Sequence, residues 1–121
     1  MTLRRTALVT GANRGIGLEV CRQLAAAGLD VILTGRSHDL VQAAAAPLDV
    51  RCEVLDLGDP GAPTDLAKRL AADGIAVDVV VNNAVAYDSE SILDIDTDVL
   101  RTAIDTNLVA PWTMISAFVP S

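Results

Sequence analysis

Eight residues constrain this chain more than any others: Thr10-Gly11-Ala12-Asn13-Arg14-Gly15-Ile16-Gly17, set between a short apolar run and a series of apolar residues at helical spacing. Glycines at 11, 15 and 17 let the main chain turn sharply out of a strand and bring the following helix close against it. Such a turn has meaning only with a strand before it and a helix after it. Both are written here. Thr6 to Thr10 reads as a strand, and Ile16, Val20 and Leu24, widened by Cys21 and Ala25, form one helical stripe that Gly28 ends. A helix opening at such a turn presents unpaired N–H groups to whatever lies before it, which makes the turn an anion site and a candidate cradle for a diphosphate.

The rest of the chain repeats the alternation. Asp30 to Thr34, Val50 to Leu55 and Val77 to Val81 are short and mostly apolar, as strands covered on both faces are. Ser37 can cap a helix running through Leu40 to Ala46, stopped by Pro47, and a third helix is expected around Asp65 to Ala72, closed by Gly74, after the turn-rich stretch Gly58 to Pro63. From Thr97, a plausible cap with Asp98 in the first turn, a long helix runs with Val99, Ala103, Ile104 and Leu108 on its apolar face. Pro111 interrupts it: proline has no N–H to give to the Asn107 carbonyl, so a kink is expected there, with a freed carbonyl able to hold a water. The pattern resumes through Trp112, Met114, Ile115 and Phe118. These repeated strand, helix, strand units predict an α/β fold with right-handed crossovers. At Pro120-Ser121, where a turn into another strand is due, the architecture is expected to be cut short.

Composition narrows the function classes. A chain of 121 residues holds one modest core, so a single domain over 1–121 is expected, without a second lobe. Aromatics make up 2% of the chain and the net charge is −7, which leaves neither a base-stacking surface nor a phosphate-attracting face for nucleic acid. No stretch is long and apolar enough for a membrane span or a signal-peptide core, and the expected location is cytoplasmic. Cys21 and Cys52 lack metal or redox spacing and read as buried thiols.

In its motifs and their order the chain resembles the short-chain dehydrogenase/reductase family over its whole length. That family carries a Thr-Gly-x-x-x-Gly-x-Gly turn where this chain has Thr10 to Gly17, an acidic residue where it has Asp56-Leu57, and an Asn-Asn-Ala-Gly motif where it has Asn82-Asn83-Ala84. Asn107 matches the family's catalytic asparagine, whose main-chain carbonyl holds a relay water in a kinked helix. The resemblance implies a Rossmann-type parallel sheet with helices on both faces, cut after the fourth strand and its following helix. It also implies a dinucleotide held by Gly11, Asn13, Arg14, Gly15, Ile16, Gly17, Arg36, Asp56, Leu57, Asn83 and Ala84.

Charge selects the dinucleotide. An NAD site has an acidic residue roughly 20 positions beyond the glycine turn, for the ribose 2′-hydroxyl. Arg36 stands there, and Arg14 lies inside the turn, so NADP is expected. Charge-assisted hydrogen bonds of about 1.5 to 3 kcal/mol each give one or two arginines about 10- to 10⁴-fold discrimination if they add. Asp39 is near enough in sequence to pair with Arg36 and blunt this; His38 reads as a loop residue flanking the site.

Two departures from the family matter. Val85 replaces the glycine that ends the asparagine motif, adding bulk that crowds the nicotinamide half. The family's catalytic Ser, Tyr and Lys fall downstream of the position of Asn107, and no Tyr or Lys follows it in this sequence. Tyr87 is a poor substitute: Ser91 follows it at four residues, Lys68 lies in an earlier helix, and nothing lowers its phenol from about 10. Three readings follow. The favoured one is the NADP(H)-binding part of an oxidoreductase for a small carbonyl or alcohol substrate, completed by a missing segment or another chain. The others are an inactive NADP(H)-binding module, and a structural partner subunit in a homo- or hetero-oligomer that uses the last helix and the open edge beside the fourth strand.

Overall fold

The computed structural model describes residues 4–86 and 96–119. Four short strands, β1 (Thr6–Val9), β2 (Asp30–Gly35), β3 (Arg51–Val54) and β4 (Val79–Val81), form one parallel sheet in the order β3-β2-β1-β4. Ala7 faces Val31 on one side and Val79 on the other, so β1 is central. The helices are α1 (Gly15–Ala26), α2 (His38–Ala45), α3 (Ala62–Ala72), α4 (Thr97–Ile104) and α5 (Ala110–Phe118).

Period-two alternation along the strands divides the core in two. Val9, Val31 and Leu33 face one side, where Cys21 of α1 and Val41 and Ala45 of α2 complete a buried cluster. Leu8 and Ile32 face the other, against Leu66 and Leu70 of α3 and Met114 of α5. This is the expected α/β sheet covered on both faces. Truncating a leucine as buried as Leu66 or Leu70 typically costs about 2 to 5 kcal/mol. Both cysteines are free, and burial pushes the Cys21 thiol up to about 11.

β3 and β4 are shorter than the expected Val50 to Leu55 and Val77 to Val81, and three helix boundaries also differ from the sequence expectation. α3 begins at Ala62, inside the stretch read as turn, because Pro63 sits in the first turn of the helix, where a missing N–H breaks no bond. The cap of α4 is Asp96, not Thr97: its carboxylate accepts from the Asp98 N–H at 2.7 Å. α2 stops at Ala45 and passes into a 3₁₀ turn, Ala46–Leu48, that contains Pro47. Between α4 and α5 the expected kink takes the form of a π turn over Asp105–Val109, with the Ala110 N–H bonded to the Asp105 carbonyl. Tyr87 and Ser91 lie outside the described residues.

Candidate functional site

From central β1 the chain winds outward to β2 and β3 on one side and returns to β4 on the other. The strand order therefore reverses between β1 and β4, and in open parallel sheets ligands bind in the crevice at that reversal, beyond the carboxyl ends of the strands. Every residue expected to touch a dinucleotide stands at a carboxyl end. Gly11 to Gly17 follow β1, Arg36 follows β2, Asp56 and Leu57 follow β3, and Asn83 and Ala84 follow β4.

The glycine turn is held from below by Thr10, which is 1% exposed. Its hydroxyl accepts from the N–H groups of Asn83 and Ala84, both at 3.0 Å, and donates to the Val81 carbonyl at 3.4 Å. Asn83 answers with its side-chain amide, which donates to the carbonyls of Gly11 (3.0 Å) and Thr10 (3.3 Å). The two loops are thus bolted together. Packing explains two of the glycines: a Cβ on Gly11 would lie 2.8 Å from the Ala84 Cα, and one on Gly17 would lie 2.5 Å from both the Gly11 carbonyl and the Asn83 amide. Gly15 has open space around it but a φ of +62°, which disfavours any L side chain.

Thr10 is a residue of this site that its place in the sequence does not single out. The available signal was a hydroxyl ending an apolar strand, which must find partners once buried. Thr10→Val keeps the shape, leaves the Ala84 N–H without its acceptor at about 1 to 3 kcal/mol, and leaves the Asn83 N–H with the Val81 carbonyl alone, at 3.1 Å. The expected result is a lowered melting temperature with strand content intact, read by circular dichroism; an unchanged melting temperature would contradict this role.

The start of α1 differs from those of α2, α3 and α4; α5 also lacks a cap and a first-turn acid, but it continues directly from the π turn. Ser37 and Asp96 cap α2 and α4 with their side chains, and Asp39, Asp65 and Asp98 lie in the first turns of α2, α3 and α4. In α1 neither feature is present: Arg14 at the cap makes no side-chain bond and the first turn holds no acid. Arg14 and Gly15 are exposed there, and Ile16 is 77% exposed. The positive end of this helix dipole is therefore not neutralised by a side chain of its own first turn.

The turn also crosses the end of β2. The Ala12 N–H donates to the Thr34 carbonyl at 2.8 Å, and the Asn13 Oδ1 lies where a side chain on Gly35 would be, 2.9 Å from its ideal Cβ. Arg14 and Arg36 each follow these contacts by one residue, and both are exposed. Among the described residues neither has a carboxylate within 4.0 Å. The expected Asp39–Arg36 pair does not form: Asp39 turns to His38, at 3.5 Å, and His38 opens α2 rather than lying in a loop. Arg14 thus sits at the acid-free start of α1, and Arg36 directly follows the Gly35 against which the turn packs. Asp56 accepts from the Gly58 N–H at 2.9 Å with one oxygen and remains exposed, while Leu57 packs its side chain toward the α3 core.

Asn107 lies in the π turn. Its Oδ1 accepts from the Ala86 N–H and its Nδ2 donates to the Ala86 carbonyl, both at 2.7 Å. Beyond the main-chain carbonyl on which the expectation from sequence rests, the Asn107 side chain ties the segment after β4 to the helix 21 residues on. Among the described residues no cluster of His, Cys, Asp or Glu could hold a metal ion. No described helix is long and apolar enough to cross a membrane.

A model of the short chain dehydrogenase family matches residues 5–121. The chain is 33% identical, over 96% of its length, to a (+)-neomenthol dehydrogenase of Arabidopsis thaliana, and 37% identical, over 94%, to an acetoacetyl-CoA reductase of Acinetobacter sp.. It spans 48% and 49% of those proteins, about half of each. Among solved structures it is similar to a metagenomic short-chain oxidoreductase in complex with NADP, with a TM-score of 0.84 and 33% identity over 96% of this chain and 55% of that one. It is also similar to a blue fluorescent protein from a metagenomic library in complex with NADPH, with a TM-score of 0.85 and 29% identity over 94% of this chain and 49% of that one.

Proposed function

The chain belongs to the short-chain dehydrogenase family, and on that premise we propose that it is the NADP(H)-binding part of an oxidoreductase acting on a carbonyl or alcohol substrate. The observation that carries this is the uncapped, acid-free start of α1 together with two arginines that have no carboxylate partner among the described residues. An adenine dinucleotide with a 2′-phosphate fits it in charge. The N–H groups of Gly15, Ile16 and Gly17 meet the diphosphate, with Gly11 and Asn13 shaping the turn. Arg14 and Arg36 hold the 2′-phosphate, and Asp56 and Leu57 border the adenine. Asn83 and Ala84 form the wall between the dinucleotide and β4. The relatives that carry NADP and NADPH support this choice of cofactor.

The cofactor, when bound, supplies a hydride to a carbonyl carbon. The chain's own residues orient it, and Asn107 fixes the segment after β4 and offers its main-chain carbonyl, which Pro111 leaves without an α-helical partner, to a relay water. The group that donates the proton is not among these residues, and general acid catalysis is worth about 10²- to 10⁴-fold. The 121 residues alone are therefore expected to bind and not to turn over.

Leu108, Trp112 and Ile115, 69%, 68% and 52% exposed, form an outward apolar stripe on the π turn and α5. That stripe supports a role for further protein, in the same chain or another, in covering this helix. Cofactor fluorescence tests the reading, with NADPH and NADH titrated against the chain, a panel of ketones added, and light scattering recorded on the same sample. Expected are tighter NADPH binding, no ketone-dependent NADPH oxidation, and a mass above the monomer. Equal affinities, or none, would overturn the cofactor reading, and measurable turnover would overturn the expected inactivity.

A further inference from the structure

We infer that Val85 is a steric determinant of how the nicotinamide end of the dinucleotide seats, an inference that rests on the cofactor reading above. Three observations carry it. Val85 lies past the carboxyl end of β4, where the strand order reverses, between Ala84, which packs on Gly11 of the glycine turn, and Ala86, which bonds to Asn107 in the π turn. Its side chain is 70% exposed, so little in the protein covers it. Both neighbours are fixed.

On one side the Ala84 N–H is held by the Thr10 hydroxyl, and its Cα stands so close to Gly11 that a Cβ there would meet it at 2.8 Å. On the other side Ala86 is tied through both its N–H and its carbonyl to the Asn107 side chain. A residue pinned at both flanks has no slack with which to withdraw, and a β-branched side chain has few rotamers in which to fold away. The isopropyl group therefore occupies crevice volume that a bound dinucleotide must share. Overfilling a well-fitted contact carries a penalty just as a void does. The adenine end, held by Arg14, Arg36 and the α1 start, lies beyond the turn and does not feel this group. Affinity is thus concentrated in the adenosine 2′-phosphate half, and the nicotinamide half is held less firmly than a smaller residue at 85 would allow.

The test is a size series, Val85→Ala and Val85→Leu, titrated calorimetrically with NADPH and with adenosine 2′,5′-bisphosphate, which lacks the nicotinamide and its ribose. Because Val85 is exposed, both variants are expected to fold. Val85→Ala is expected to tighten NADPH binding three- to tenfold and Val85→Leu to weaken it by a similar factor, with the bisphosphate unchanged throughout. NADPH affinity that is flat across the series, that falls in Val85→Ala, or that moves in parallel with the bisphosphate would overturn this inference and leave the cofactor reading standing. Failure of the unaltered chain to bind either ligand would overturn both.

Discussion

Replacing Gly17 with alanine is expected to lower the affinity for NADPH by about 100-fold and to destabilise the fold by about 1 to 3 kcal/mol. The cause lies in two backbone-level contacts. The new methyl would stand 2.5 Å from the Gly11 carbonyl, which is main chain and cannot swing aside, and 2.5 Å from the Asn83 amide, which also donates to the Thr10 and Gly11 carbonyls. Either α1 moves out from the turn or Asn83 abandons its bonds. In both cases the N–H groups that face the anion lose their aim, and a misplacement of about 1 Å is enough for a 100-fold effect. Gly15→Ala is the control. It meets no atom within 4 Å and carries only the strain of a φ of +62°, about 1 to 2 kcal/mol. Calorimetric titration with NADPH and thermal unfolding of both variants give the comparison; a Gly17→Ala protein that binds like the unaltered chain would remove the packing argument.

Arg36→Asp is expected to reverse the cofactor preference. The substitution deletes a cation at the 2′-phosphate and places a carboxylate roughly 20 residues past the glycine turn, where an NAD site has one. Losing one charge-assisted bond of about 1.5 to 3 kcal/mol weakens NADPH by about 10- to 150-fold, and repulsion between the carboxylate and the phosphate adds to it. Solvent exposure of Arg36 and salt screening draw the effect toward the lower figure at physiological ionic strength. NADH, which has no 2′-phosphate, is expected to bind as well as before or better. Arg14→Leu is expected to act in the same direction without creating the new acceptor, so it weakens NADPH and leaves NADH alone. Dissociation constants for both cofactors at two salt concentrations check this. NADPH and NADH weakened equally by Arg36→Asp would mean that Arg36 serves the fold and not the phosphate.

Much of the architecture was legible because its signals are local. The β-branched runs of β1 and β2 and the stripe of Ile16, Val20 and Leu24 announce a strand, a turn and a helix without reference to the rest of the chain. The kink at Pro111 was legible for the same reason, since proline removes a donor wherever it stands. What the sequence hid is long-range. Thr10 joins Asn83 and Ala84 across more than 70 residues, and Asn107 reaches Ala86 across 21, through the polar ends of side chains whose types suit many partners. Pro63 misled as a turn residue because proline is equally at home in the first turn of a helix. Asp39 misled because adjacency in sequence to Arg36 does not set direction, and the carboxylate faces His38 instead.

A crystal structure of the chain with NADPH tests the central claim most directly. The account predicts diphosphate density within hydrogen-bond distance of the N–H groups of Gly15 to Gly17, with the 2′-phosphate against the guanidinium of Arg36 or Arg14. Density for the dinucleotide anywhere other than the carboxyl ends of β1 and β4, or a 2′-phosphate facing away from both arginines, would contradict it.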